Sequence, residues 1–501
     1  MINAIANAKY WKEVTLFVVI GTIYVMCTQT GWSWAGFDCD LGDFLYAAEN
    51  GTTTHFPGFP LFAMLAYGII RIPFGDEAFT MALMLSTIPS IITCIAVFYA
   101  VRKQTINKWA PFVATATLAG ANVFLMQSII VEVYALTAMV VTLSYVFMIY
   151  GRYRLAAIFA GLTLSMHIMA APAALAMFVI NKELRAYWKW SIIIAVLMYA
   201  YVVVTSFVRD SLSTIDGSSF GVMQYMVGTL ADNTQWWLNL PAWEIPEKIW
   251  ISLSLFSVAF GLSLIPMFVY FKDYRKSKLL LAMVVIPVIY YFGCVLGLTS
   301  VHLMLAVPFL AVAAGLGVSK IKIPPYIIFA GSMVLLLTLP LNYDIGRTLD
   351  KHHSAEETYA SFGTIEDRSI VVNLCRMKVS DEVVLGSISG REQTMLIMYN
   401  DKYNKEMVPL NISRYSEDVD LPGIGNIGEK YRDWINDEYG VVTPYFDNPY
   451  ETKKEKKYYY WELLEDIVEA NPDRNVYYFL VSDEDPFRRE ITRYETIQAS
   501  L

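Results

Sequence analysis

Apolar residues run in long blocks through the first two thirds of the chain, and charged residues are confined to the gaps between them. Ten blocks are long enough to consider as membrane spans: Val14–Thr30, Ala78–Val101, Ala110–Met126, Val131–Tyr150, Leu155–Ile180, Ser191–Val208, Ile249–Phe271, Leu279–Leu298, Val301–Ser319 and Tyr326–Leu341. A helix needs about 20 residues to cross the hydrocarbon layer, and flanking Tyr and Trp complete the shorter blocks. Beyond residue 345 the pattern changes to short apolar runs between polar turns. There Ser369–Leu374, Glu382–Ser387, Met395–Tyr399 and Asn475–Val481 read as strands, and Gly428–Glu438 and Trp461–Ala470 as helices. The pattern predicts a polytopic α-helical membrane domain over residues 1–345 and a soluble α/β domain over 346–501.

Charge orients the body. Of the 19 Lys and Arg before Gly346, 16 fall on one side, and only 3 of the 16 Asp and Glu do, if the N-terminus is cytoplasmic and Leu155–Ile180 is a broken hairpin turning near His167. Lys and Arg are retained in cytoplasmic loops. A single crossing there would put Lys272, Arg275, Lys276 and Lys278 outside, so the hairpin is preferred. It gives about 11 crossings. Each short arm then has to pack within protein or line a cavity. Two outer loops are long. Residues 31–77 carry a second apolar stretch, Phe56–Phe74, read as an interfacial or re-entrant helix. Residues 209–248 carry Trp236, Trp237 and Trp243, which suits the headgroup level.

Composition sharpens this picture. The chain is 56% hydrophobic and 17% charged, against about 25% charged for a soluble domain, which argues against a soluble enzyme, a disordered chain or a disulfide scaffold. Residues 346–501 hold 19 basic and 30 acidic groups, a balance of −11, so the C-terminal domain is acidic and extracytoplasmic on this topology. The reading places the protein in the cell membrane of a prokaryote, or facing the ER lumen in a eukaryote. Five cysteines make no framework, although Cys39 and Cys375 would share the oxidising side. No metal motif is present and no cofactor is called for, which leaves a divalent metal open. Nothing points to nucleic acid. Gly423-Ile424-Gly425-Asn426-Ile427-Gly428 fits a dinucleotide fingerprint, but no strand leads into it, so a glycine-rich turn is the better reading.

Chemistry concentrates just outside the first span. Asp38, Asp40 and Asp43 lie within six residues. Crowded carboxylates raise at least one pKa, which suits a general base. Capping explains them as simply, with Asp40 or Asp43 at the start of a helix Phe44–Asn50. His55 follows in His55-Phe56-Pro57-Gly58-Phe59-Pro60-Leu61, a turn that would hold it near the carboxylates; an incidental histidine is an equal account. Glu132 opens the fourth predicted span on the outer side, where the helix dipole favours a carboxylate. His167 and His302 fall on the same side. Ionisable groups at spans are functional hypotheses, although a lone interfacial histidine also serves as an anchor.

These segments resemble a known family. Trp34…Asp40-Leu41-Gly42-Asp43-Phe44 followed by His55-Phe56-Pro57-Gly58-Phe59-Pro60-Leu61 is similar to the D-S-G-E-[FL]…H-P-P-G-Y-P-L opening of a membrane glycosyltransferase family. That family is related to protein O-mannosyltransferases and has the GT-C architecture. The resemblance continues through Glu132-Val133-Tyr134-Ala135-Leu136, Gly161–His167 and Val301–Pro308, covering about the first 345 residues. Leu41, Asp43, Phe56 and His302 depart from the family residues Ser, Glu, Pro and Arg. The resemblance implies a transferase that moves a mannose-like sugar from a polyprenyl- or dolichyl-phosphate donor to a protein or glycan hydroxyl at the outer face. In it Asp40 is the base and Asp43 orients the acceptor or supports Asp40. Asp38, His55, Arg71, Glu132, His167, Arg209 and His302 contribute to substrate and donor binding. A transporter or a non-catalytic membrane scaffold are the other classes this span count admits; the absence of a visible internal duplication argues against the first.

Overall fold

The computed structural model describes residues 10–28, 40–51, 54, 59–72, 74, 77–167, 170–208, 259–293 and 304–338 of the helical part. In the C-terminal part it describes 383–387, 407–411, 420–421, 425–426, 432–433, 436–437, 440, 469–472, 475–481 and 489–493. The predicted strands Ser369–Leu374 and Met395–Tyr399, the Trp-rich loop 209–248, and Asp38, Cys39, His55, Arg209, Cys294, His302 and Cys375 lie outside the described residues.

Helices form where the apolar blocks predict them. In order they are α1 (Trp11–Cys27), α2 (Asp40–Asn50), α3 (Pro60–Ile69), α4 (Glu77–Gln104), α5 (Ala110–Ala119), α6 (Asn122–Met126), α7 (Val133–Ile149), α8 (Tyr153–Leu164), α9 (Ala171–Ile180), α10 (Lys182–Arg185), α11 (Trp188–Val208), α12 (Gly261–Phe271), α13 (Tyr274–Gly293), α14 (Met304–Lys320) and α15 (Pro325–Leu337). Among the described residues α4 is the helix long and apolar enough to cross a membrane on length and composition alone, with 28 residues. It contains a six-residue π-helix, Ala82–Thr87, immediately before Pro89. Proline inside a helix removes one ladder bond and collides with the carbonyl four residues back. The wider π turn just upstream coincides with that defect, and it also holds the hydroxyls of Ser86 and Thr87.

Two predicted blocks are interrupted. Ala110–Met126 breaks at Gly120 and Ala121 into α5 and α6, and Leu155–Ile180 is divided into α8, which ends at Leu164, and α9, which begins at Ala171. The second break is the expected hairpin. Arg154 lies over the Trp190 ring at 4.1 Å, the Ser191 hydroxyl donates to the Ala157 carbonyl, and the Tyr199 hydroxyl donates to the Leu164 carbonyl at 3.3 Å. Contacts that climb both helices together make α8 and α11 parallel, so the chain returns through α9. Gly161 permits this approach, because a Cβ there would sit 2.5 Å from the Ser191 carbonyl oxygen.

The bundle has two chemically distinct ends. At one, Arg102 pairs with Glu13 at 3.7 Å, Lys103 lies over Tyr150, Thr105 meets Ser319, Trp109 packs on Tyr326, and Asp273 bridges Lys276 and Lys320. These contacts join the loops that hydropathy and charge assign to the cytoplasm. Between the ends, the hydroxyls of Thr117, Ser263 and Ser332 form a buried triangle of 2.7–3.3 Å linking α5, α12 and α15. Such interhelical bonds contribute on average about 0.6 kcal/mol each in a membrane.

In the C-terminal part, β1 (Val383–Ser387) pairs in parallel with β2 (Met407–Asn411) and β5 (Asn475–Val481), and β6 (Arg489–Arg493) adds antiparallel to β5, in the order β2-β1-β5-β6. The strands β3 (Asp420–Leu421) and β4 (Gly425–Asn426) make a small antiparallel pair. A two-residue strand, β3, thus precedes the glycine-rich motif and β4 lies within it, against the expectation that no strand leads into it. Residues 432–433 and 436–437 are helical within the predicted Gly428–Glu438, as are 469–470 within Trp461–Ala470.

The close approach at Gly161 gives a direct check. Gly161→Ala forces the α8 and α11 backbones apart and is expected to destabilise the bundle by about 1–3 kcal/mol, the usual range for overpacking. Thermal unfolding in detergent measures it, and an unchanged midpoint would remove the α8–α11 contact from the account.

Candidate functional site

The site is assembled at the end of the bundle opposite the basic loops. Its first element, α2, starts at Asp40 and not at Phe44 as the sequence predicts. Asp40 is therefore the first helical residue and Asp43 lies within the first turn, so the expected cap at the head of Phe44–Asn50 is corrected. Leu41, Phe44, Leu45 and Ala48 are buried and recur at helical spacing. Packing of that stripe on α3, with the Phe44 and Phe62 ring centroids 4.8 Å apart, carries the helix through Gly42, which alone would favour a later start. The three-residue spacing puts positions 40 and 43 on one face, at the helix end whose dipole favours negative charge. The helix closes at Gly51, whose φ of +61° is the left-handed conformation of a C-terminal glycine.

Arg71 locks this element to the next. Its guanidinium donates to the carbonyls of Ala48 at 3.4 Å and Glu49 at 3.2 Å, and also to Tyr67, over whose ring it lies at 3.5 Å. The cation predicted for a donor phosphate thus holds the negative end of α2 against α3, which satisfies carbonyls that a helix leaves open.

The conspicuous convergence is aromatic. Phe59, from the second motif, stacks on His167 with centroids 5.4 Å apart and planes at 19°; its other flank meets Phe44 edge-on at 6.2 Å. Tyr134, from the third motif, lies 5.3 Å from His167 on a tilted plane. His167 is 9% exposed and sits between the two rings. Phe59 adopts φ 36°, ψ 61°. A bulky residue in the left-handed region costs of order 1–3 kcal/mol and persists where its surroundings dictate it. Here Pro60 fixes the start of α3 behind it and the aromatic stack holds the ring in front.

Glu132 stands two residues before Tyr134 as the N-cap of α7. It is 1% exposed, and its carboxylate accepts from the Val133 amide at 3.2 Å. Ser86, in the π turn of α4, fixes the Glu132 backbone from both sides, donating to its carbonyl at 3.3 Å and accepting from its amide at 3.4 Å. Thr87 donates to the Ser128 carbonyl and meets Thr28 of α1's C-terminal end, each at 2.8 Å. The π turn therefore fastens the segment that presents Glu132. Gln127, at the start of that segment, is buried with neither carboxamide atom hydrogen-bonded.

The structure thus brings α2 with Asp40 and Asp43, Phe59, Glu132 and His167 to one end, although sequence places them up to 127 residues apart. Ser86 and Gln127 went unnoticed in the sequence because they are uncharged residues within or beside apolar runs. Among the described residues no group of His, Cys, Asp and Glu is arranged to hold a metal.

The architecture so built has the GT-C fold. The solved structures it is similar to include ArnT from Cupriavidus metallidurans in the apo state, with 11% identity over 97% of this chain and 98% of that one and a TM-score of 0.53. ArnT from Cupriavidus metallidurans bound to undecaprenyl phosphate matches over the same shares at 11% identity, with a TM-score of 0.54. No family model and no curated protein matches the chain.

Stacking of Phe59 on His167 is expected to appear as coupling. A double-mutant cycle with Phe59→Leu and His167→Gln should give an interaction of about 1 kcal/mol in thermal unfolding, within the range for ring pairs. Strict additivity would contradict the contact.

Proposed function

We propose that the protein is a glycosyltransferase that moves a sugar from a polyprenyl-phosphate donor to an acceptor hydroxyl at the extracytoplasmic membrane face. The observation that carries this reading is the gathering of four motif segments at the end of a GT-C bundle remote from its basic loops. The ArnT structure of the same fold bound to undecaprenyl phosphate supports a lipid-phosphate donor. The resemblance of the motifs to those of the O-mannosyltransferase-related family is the ground for proposing a mannose-like sugar and a hydroxyl on protein as acceptor.

In the reaction Asp40 takes the proton of the acceptor hydroxyl. The acceptor oxygen attacks the anomeric carbon, the bond from that carbon to the phosphate oxygen breaks, and polyprenyl phosphate leaves with the bonding pair. Asp43, on the same helix face, orients the acceptor or supports Asp40. Negative charge grows on the leaving phosphate, so hydrogen-bond donors and cations there lower the barrier. His55, His167, Arg209 and His302 are the groups proposed for that task. Arg71 would join them with donors left over from its three carbonyls. Asp38 and Glu132 complete the polar surface on the acceptor and donor side. The acidic C-terminal domain would lie on this same side and capture the acceptor.

The decisive assay is sugar transfer in detergent from a polyprenyl-phosphate sugar to a hydroxyl acceptor. Asp40→Asn is expected to lower kcat about 10²–10⁴-fold, the contribution of a general base, with folding retained. Transfer that survives the change removes Asp40 from the mechanism. Solute flux with no transfer would replace the enzyme with a transporter.

A further inference from the structure

The base of the α8–α9 hairpin, where it meets α11, carries a basic and aromatic cluster that the transfer site does not use. Arg152, Arg154, Lys182, Arg185 and Lys189 gather there with Glu183 as the one acid, and all six are exposed. Elsewhere at this end three cations are paired with acids: Arg102 with Glu13, and Lys276 and Lys320 with Asp273. Among the described residues no ion pair forms within the hairpin cluster. Arg185 is occupied, since it donates to the Phe178 and Val179 carbonyls at the end of α9. Arg154 lies over Trp190 at 4.1 Å, and the neighbouring Tyr153 stacks on Tyr187 at 6.2 Å, so the cluster stands among fixed aromatic rings.

A second feature begins where the cluster ends. Ile192, Ile193, Val196 and Leu197 form one face of α11 and are all exposed, Val196 at 61%. The pattern is a stripe that runs from the headgroup level towards the membrane interior. Trp188, 57% exposed, marks the boundary between cluster and stripe, the level at which tryptophan prefers to sit. Cations over an aromatic floor, continued by an apolar stripe along one helix, match a molecule with an anionic head and acyl chains.

We propose that this surface is a binding site for an anionic glycerophospholipid, its phosphate held by Arg152, Arg154 and Lys189 and its chains laid along the α11 stripe. The ligand is distinct from the polyprenyl-phosphate donor. Arg154 and Leu164 stand at opposite ends of α8, about 15 Å apart by helix rise, and His167 lies beyond. The lipid clamps the hairpin arms at the base whose far turn carries His167, and so steadies the transfer site. This inference does not depend on the identity of the reaction.

The test uses the full-length protein in detergent, with phosphatidylglycerol or phosphatidylcholine added in mixed micelles and binding read by native mass spectrometry and thermal midpoint. Phosphatidylglycerol should be retained and raise the midpoint, and phosphatidylcholine should do neither. In Arg152→Gln/Arg154→Gln/Lys189→Gln the apparent affinity should fall roughly 100-fold, since each basic side chain at a membrane surface contributes about fivefold. Lys108→Gln/Lys278→Gln/Lys322→Gln removes the same charge from other loops and should leave retention intact. Equal response to both lipids, equal loss in the two triple variants, or a stable dimer that buries the α11 stripe would each overturn the proposal.

Discussion

An apolar layer admits neither an unpaired backbone group nor an uncompensated charge, and the arrangement of this chain follows from that constraint. Many of the polar groups inside the helices are small hydroxyls turned back onto a carbonyl or onto another hydroxyl, as at Thr115, Thr117 and Thr137. Charge is expelled to the two ends. One end collects arginine and lysine with few acids. The other collects the carboxylates, and there a buried acid such as Glu132 is held by an amide at the start of α7 and by a helix terminus that favours it. Charged groups are thus limited to the ends, and the distribution of sign tells the two apart.

Within that end the helices are broken where chemistry is presented. The π turn of α4 offers Ser86 and Thr87 to the segment bearing Glu132; the hairpin break between α8 and α9 carries His167; the left-handed Phe59 launches α3. Each irregularity would be costly alone. Together they brace one another, because Phe59 and Tyr134 enclose His167 and Ser86 fixes the start of the Tyr134 helix. A set of segments far apart in sequence is made rigid by aromatic packing, while its polar groups stay at the border of the apolar layer.

Much of this was legible in the chain. Apolar blocks located the helices to within a few residues, and charge bookkeeping located the hairpin break that hydropathy alone would have passed over. The start of α2 is earlier than the capping pattern of Asp40 and Asp43 implies, because packing of Leu41 and Phe44 extends the helix back to Asp40. The gap at Gly120 is hidden among small residues; glycine is required there because the Ser332 carbonyl on α15 lies 2.7 Å from where a Cβ would be. Strand Asn475–Val481 was plain from its run of Val, Tyr, Phe and Leu. Strand Met407–Asn411 was not, since Pro409 disguises it; among the described strands it lies at the edge of the sheet, where proline is tolerated. The stacking of Phe59 on His167 had no local signal at all. Of the site residues, His167 lies against Tyr134 two positions after Glu132, Arg71 is placed against helix carbonyls, and positions 40 and 43 share a helix face.

The central claim is that a lipid phosphate is received at the end where α2, Phe59, Glu132 and His167 meet. A cryo-electron-microscopy structure of the full chain with added polyprenyl phosphate tests it most directly. The account predicts phosphate density beside this cluster, with the isoprenoid chain running down the adjoining helices. Density confined to the basic end, or a cluster left empty under saturating lipid, would contradict it.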